Sequence, residues 1–281
     1  MPESVYGIYR IPIERVNGNS YLVVRGDEVI VVDTGIPGSA ERIIGEVGAL
    51  GPGRRISAII LTHYHLDHSG SAADLRAATG AKVYVHEADA PFVSGERRPP
   101  LPPSVPKETL DAYSQMRPVR PDVVLRDGDV VFGFRVIHVP GHTPGSIALH
   151  DGRALFAGDN VNVRDGSIVG SPAPYDWDSS MAKESLGRLL SLEFDVLLPG
   201  HGPPVIGDAA AKARSALKVR TLGLRALRLS APAAAREPKV RSQRDSHSKG
   251  IIKRNLNSSL YRMSGAGTSE DYEALVPDGS Y

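Results

Sequence analysis

Residues 62–68 read Thr62-His63-Tyr64-His65-Leu66-Asp67-His68, and most of the fold and chemistry follows from this heptapeptide. Three imidazoles and one carboxylate fall within six positions: His63, His65, Asp67 and His68. Neutral imidazole and carboxylate are preferred ligands of a borderline cation such as Zn²⁺. Neither a regular helix nor a regular strand turns all four to one buried side. A loop at the end of a strand can, and the apolar run Ile56 to Leu61 just upstream reads as a buried strand. The alternative is a polar surface loop that happens to hold histidines, and the rest of the chain argues against it.

Three further segments supply residues of the same kind. Val139-Pro-Gly-His142-Thr-Pro-Gly145 places His142 in a turn crowded with Pro and Gly. Phe156-Ala-Gly-Asp159-Asn160 places Asp159 after the apolar stretch Ala154 to Ala157, and Leu197-Leu-Pro-Gly-His201-Gly202 places His201 after Phe194 to Leu198. Each repeats one pattern: apolar strand, Gly or Pro turn, metal-type residue. Glycine supplies the backbone freedom such turns need. A loop on a rigid strand scaffold is a common carrier of reactive groups. Singly each segment is weak, since a lone His or Asp in a turn is usually structural; in order on one chain they reinforce one another.

These four segments together resemble the metallo-β-lactamase superfamily of metal-dependent hydrolases, and in spacing its glyoxalase II-like branch. Val31-Val-Asp33-Thr-Gly35 adds the early strand-plus-Asp segment of that superfamily, and the resemblance spans about residues 5–207. The resemblance implies an α/β fold, a four-layer αββα sandwich of two mixed β-sheets flanked by helices with the metals at one edge. It implies that His63, His65 and His142 hold one metal and that Asp67, His68 and His201 hold the second. Asp159 then bridges the two, and Asp67 and Asp159 are the carboxylates placed at the reaction centre. The implied cofactors are two divalent ions, zinc first, with iron or manganese as alternatives. Two dications about 3.5–4 Å apart bring the pKa of a bridging water toward neutrality. The expected chemistry is attack of that hydroxide on an ester, thioester or lactone carbonyl. Asp33 is expected to orient a ligand histidine or its loop; capping the turn at Thr34-Gly35 is its other use. Tyr175 and Trp177 are candidates to line a substrate pocket, with core packing the competing use for the only tryptophan. His86 and His138, at strand ends, read as structural.

At 281 residues the chain can bury a sizeable core. Its 41% apolar and 23% charged content is that of an ordinary globular protein. No apolar run approaches the eighteen or so residues of a membrane helix, and the first residues carry no secretory pattern, so the expected compartment is the cytoplasm. With no cysteine, neither a disulfide nor a thiolate ligand or nucleophile can form. The net charge of +1 hides an asymmetry: residues 212–254 hold 13 Lys/Arg against 2 Asp/Glu.

Strands are expected at 4–10, 20–25, 28–33, 56–61 and 82–86, with turns at Asn17-Gly-Asn19 and Gly26-Asp27. Helices are expected at 39–50 and 71–79, the second closed by Gly80. Eight prolines break the pattern over 91–121, which reads as a lid or a solvated insertion with one helix over 107–116. Strands resume over 123–139, a hairpin turns at Asp151-Gly152, and Asp178 or Ser179 caps a helix to about Leu192. The catalytic region is thus expected over 1–207. A helical segment over 208–230 and a basic, flexible tail over 231–281 follow it.

The substrate has several readings: a small thioester or ester first, then a lactone. A phosphodiester or nucleic acid is also open, as is iron-dependent redox chemistry of the persulfide-oxidising type. The region after His201 does not resemble the helical domain that glyoxalase II adds for glutathione. A non-enzyme alternative makes the metal region a scaffold and the basic tail a nucleic-acid-binding element. No membrane partner is expected, and the sequence leaves the oligomeric state open.

Overall fold

The alternation of apolar residues explains why the strands pack on both faces. In the computed structural model, which describes residues 4–100, 107, 111, 113 and 116–217, seven strands form one sheet. They are β1 (Ser4–Val5), β2 (Ile8–Ile13), β3 (Gly18–Arg25), β4 (Glu28–Val32), β5 (Arg55–Ile60), β6 (Lys82–His86) and β7 (Val123–Leu125), paired in chain order. β1 to β4 pair antiparallel, and β4 to β7 pair parallel. The second sheet holds β8 (Val130–Val131), β9 (Phe134–His138), β10 (Ile147–His150), β11 (Ala154–Gly158), β14 (Val196–Pro199) and β15 (Val205–Ile206), in the order β15-β14-β11-β10-β9-β8. β12 (Val161–Arg164) and β13 (Ser167–Gly170) make a separate hairpin.

Successive side chains of a strand point to opposite faces. On β4, Ile30 and Val32 enter the core between the sheets, while Val29 and Val31 face helices α1 (Ala40–Ala49) and α3 (Ala72–Thr79) through Ile43, Val47 and Leu75. On β11, Ala154 and Phe156 face the first sheet, while Leu155 and Ala157 meet Leu189, Leu190, Ala209 and Ala213 of α5 (Ser179–Leu190) and α6 (Ala209–Leu217). The layers are therefore helix, sheet, sheet, helix, as expected. Strands buried on both faces read as unbroken apolar runs. Each such Ile, Leu or Phe contributes about 1.5–3 kcal/mol by leaving water.

Local chemistry sets the helix ends. Asp178, not Ser179, caps α5: its carboxylate accepts from Ser180 N (2.9 Å) and Met181 N (3.0 Å). α3 closes at Gly80, whose left-handed backbone (φ 70°) lets its N–H reach Arg76 O at 2.8 Å. One turn was misplaced by the sequence pattern. Gly18 and Asn19 do not form a turn but begin β3; the chain turns at 14–17, with Asn17 left-handed at φ 49°. Asn19 is buried because its amide donates to Pro199 O (2.9 Å) and Gly202 O (2.7 Å) across the sheets. The expected helix over 107–116 is helical at Lys107, Asp111 and Tyr113; its other positions up to 115 lie outside the described residues, as does the chain beyond 217, with the 231–281 tail. Among the described residues no helix is long and apolar enough to cross a membrane.

Candidate metal centre

Five strand ends converge on one edge of the sandwich. β4 leads into Asp33, β5 into His63 and His65, β9 into His142, β11 into Asp159 and β14 into His201. The heptapeptide itself is half loop and half helix. Residues through His65 are non-helical, and Asp67 and His68 lie on the single turn α2 (Leu66–Ser69). That change of backbone turns four side chains to one side where a loop alone was expected. Glycines make the approach possible. A Cβ on Gly200 would collide with Asp159 Oδ1, so only glycine fits between Asp159 and His201.

Three groups among the described residues could hold a metal ion: the separate triads His63, His65, His142 and Asp67, His68, His201, and a third, His63, His68 and Asp159, that links them. In each the ligand atoms all lie within 4.8 Å of one another. Asp159 stands between them. Its Oδ1 is 3.2 Å from His68 Nε2, and its Oδ2 is 3.4 Å from His142 Nε2 and 3.3 Å from His201 Nε2. Asp67 Oδ2 is 3.2 Å from His201 Nε2.

The outer nitrogens are committed elsewhere. His68 Nδ1 donates to Asp33 Oδ2 (2.8 Å), His63 Nδ1 to Thr62 Oγ1 (3.0 Å), His142 Nδ1 to Asp176 Oδ1 (3.2 Å) and His201 Nδ1 to Val16 O (3.0 Å). Ser171 hydrogen-bonds Asp176 in turn. Such bonds keep a proton on Nδ1 and leave Nε2 as the nitrogen that can face a cation. His63 Nε2, His68 Nε2, His142 Nε2 and Asp159 Oδ1 are buried with no hydrogen-bond partner. Buried polar atoms are nearly always satisfied. Imidazole nitrogens and a carboxylate oxygen that face a common point without a partner are what a cation resolves, taking the place of any proton there, so these residues fit a metal.

Electrostatics agree. Burial works against charge on His68 and His201 but is outweighed by the carboxylates of Asp159 and Asp67, raising both, His201 to about 10. Asp67 and Asp159 are held below the usual carboxylate range: burial opposes this and the nearby imidazoles, His68 and His201, overcome it. Burial and neighbouring imidazoles lower His63 and His65, the latter to about 3. The carboxylates demand positive charge at their end of the cluster, and His63 and His65 stay neutral and ready to coordinate.

Of the two uses the sequence left open for Asp33, its carboxylate is bonded to His68 Nδ1 and to Thr62, while its backbone is left-handed at φ 59° at the strand end. Trp177 is 44% exposed, which corrects the expectation of core packing; its backbone N–H donates to His142 O at 3.1 Å. Tyr175 lies in a short 3-10 turn, Ala173–Tyr175, on the same segment. Thr62, Asp176 and Asp89 were missed by the sequence reading. One signal was there for Asp89: it follows β6 closely, as Asp33 follows β4 and Asp159 follows β11.

A family model for the metallo-β-lactamase superfamily matches residues 13–201. The chain belongs to that superfamily. It is 32% identical over 237 residues to a probable metallo-hydrolase, YflN, of Bacillus subtilis, covering 73% of this chain and 87% of that protein. It is 28% identical over 198 residues to hydroxyacylglutathione hydrolase GloC of Haemophilus influenzae (68% and 89% covered). With human acyl-coenzyme A thioesterase MBLAC2 it shares 32% over 214 residues (65% and 72% covered). Among solved structures it is similar to TTHA1623 in a di-iron-bound form, with 29% identity, a TM-score of 0.55, and 77% and 98% covered. The glyoxalase II-like resemblance of the motifs is therefore matched by relatives of that kind.

Proposed function

We propose that the chain is a dinuclear metal-dependent hydrolase acting on acyl esters, with thioesters as its preferred class. The observation that carries this reading is the convergence of buried, unpartnered Nε2 atoms and Asp159 Oδ1 between two ligand triads. His63, His65 and His142 would hold one ion, Asp67, His68 and His201 the other, with Asp159 serving both. Bound there, the ions supply Lewis acidity and an activated water. Five imidazoles and two carboxylates with no thiolate suit zinc, and the di-iron form of a similar structure supports iron as the second reading.

The chain's own residues hold this arrangement rigid. Asp33, Thr62, Asp176 and Val16 O take the Nδ1 protons, so the ligands need no reorganisation when charge develops on the substrate oxygen. Thioester preference is supported by the names of the GloC and MBLAC2 relatives. It also suits the chemistry, since a thiol ionises at about 8.5 and its thiolate departs with little need of a proton donor. Tyr113, whose ring lies 6.3 Å from that of His65, gives the site an aromatic border, and Trp177, exposed on the segment whose backbone is bonded to His142 O, would add a second for an acyl chain.

The test is turnover by the metal-loaded full chain of a short acyl-coenzyme A, an S-acylglutathione, a lactone, a phosphodiester and a β-lactam. Fastest turnover of the thioesters is expected. Preference for the phosphodiester would place the chain with the nuclease-type hydrolases instead.

A further inference from the structure

The connection between β6 and α4 (Ala90–Val93) inserts one carboxylate between the two loops that carry the first triad. Asp89 is fully buried. Its Oδ2 accepts from the backbone N–H of Tyr64 (3.0 Å) and the hydroxyl of Thr143 (2.8 Å), and its Oδ1 accepts from the backbone N–H of Gly145 (2.6 Å). Tyr64 stands between His63 and His65 in the chain, and Thr143 follows His142. One side chain thus joins the two segments that must keep a fixed spacing for three imidazoles to share an ion.

The neighbourhood is shaped for this group. All three partners are donors, so an acceptor-only side chain is required. A Cβ at Gly145 would stand 2.6 Å from Asp89 Cγ and Oδ1, so glycine at 145 is what lets the carboxylate approach. The Thr143 hydroxyl is steadied by Ser146 Oγ at 2.8 Å, and Asp89 N–H is tied to His86 O at 3.0 Å. Burial raises the Asp89 carboxyl to about 7 against the pull of Thr143, Gly145 and Tyr64. The second triad is held differently, through Asp33 on His68 and Val16 O on His201.

We propose that Asp89 is a positioning residue that fixes the spacing of the His63–His65 loop and the His142 loop, and so sets the affinity of the first metal site without touching the ion. This rests on the metal-site reading above. Asp89→Asn keeps one acceptor and turns an amide N–H toward a donor, so the loops should part while the second triad is undisturbed.

The experiment is chelator titration of the full chain loaded with zinc, repeated with cobalt so that its visible spectrum distinguishes the three-imidazole site from the Asp-containing one. Wild type should hold two ions. Asp89→Asn should lose one of them about 10–100-fold more readily, the usual scale for a group that orients a ligand, and keep the other at wild-type affinity. Retention of both ions at wild-type affinity overturns the proposal. So does equal weakening of both with a lower melting temperature of the metal-free chain, the signature of a merely structural carboxylate. Should Asp89→Asn fail to fold, Thr143 decides: Thr143→Ser keeps the hydroxyl and should behave as wild type, Thr143→Val should weaken the first site alone, and identical behaviour of the two overturns the proposal. Wild type binding no ion overturns the metal-site reading and this one with it; wild type with two ions and an unaffected Asp89→Asn overturns this one alone.

Discussion

Asp33 Oδ2 lies 2.8 Å from His68 Nδ1, with both side chains withdrawn from solvent. The same carboxylate accepts from Thr62 N and from Thr62 Oγ1, each at 2.7 Å, and that hydroxyl accepts from His63 Nδ1 at 3.0 Å. One strand-end aspartate therefore orients a candidate ligand from each triad. It does so from a left-handed backbone at φ 59°, a conformation that Asp tolerates better than most residues. Replacing it by Asn turns one of the two acceptor oxygens that serve these three donors into an N–H donor. We expect Asp33→Asn to weaken both metal sites by about 10–100-fold, in contrast to the single-site effect of Asp89. Competition with a zinc indicator dye measures this, and unchanged affinity at both sites would remove Asp33 from the account.

Gly200 separates Asp159 from His201 so tightly that a methyl group there meets Asp159 Oδ1. Gly200→Ala should displace that carboxylate, cut metal content and lower thioester turnover at least tenfold, about 1.4 kcal/mol or more. Circular dichroism should remain that of the wild type. Full activity with two ions bound would mean that Asp159 does not need its observed place.

Metal uptake should release protons. Burial opposes charge on His68, His142 and His201, but carboxylates led by Asp159 outweigh it and raise all three, His201 to about 10. His201, raised to about 10, carries a proton at neutral pH in the metal-free chain, and an entering ion must displace it. His63 and His65 are lowered and contribute none. Affinity should therefore rise with pH toward 10, and calorimetry in buffers of differing ionisation enthalpy should find proton release on metal binding near pH 7. A binding enthalpy independent of buffer contradicts this.

How much of this was legible in the chain depends on distance along it. His63, His65, Asp67 and His68 announce themselves because ligand types crowd one strand end, and the sandwich follows from apolar runs buried on both faces. Asn19 was misread because its partners are at 199 and 202, and an Asn beside a Gly looks locally like a turn. Asp176 and Asp89 are single carboxylates whose meaning lies in residues 25 to 56 positions away. The strands over 123–139 were legible, yet β7 joins the first sheet and β8 the second, a division that no local pattern contains.

His86 stacks on His138 with ring centroids 4.0 Å apart and planes at 18°. Burial, then His138, lowers His86 from 6.5 to about 4. It is neutral when folded and takes a proton below about 6.5 when unfolded. Its contribution is thus complete above pH 6.5 and is lost as pH falls through 4, up to about 3 kcal/mol for a shift of this size. His86→Phe should flatten the acid limb of stability against pH by one proton, as read by urea unfolding at several pH values. An unchanged slope would assign the acid sensitivity elsewhere.

Trp177 keeps 44% of its surface exposed, and its backbone N–H is bonded to His142 O. Trp177→Ala should raise KM for acyl thioesters about tenfold, a loss of about 1.4 kcal/mol of binding, with kcat nearly unchanged. An effect on kcat alone would place the indole in the support of His142 rather than at the substrate.

The most direct measurement is metal content by elemental analysis of wild type and Asp159→Ala, run beside hydrolysis of an acyl-coenzyme A. The account predicts about two ions per chain and thioester turnover that is abolished by chelation and restored by metal. It predicts that Asp159→Ala loses both metal and activity. Thioester turnover by a chain stripped of metal, or full activity in Asp159→Ala, would contradict it.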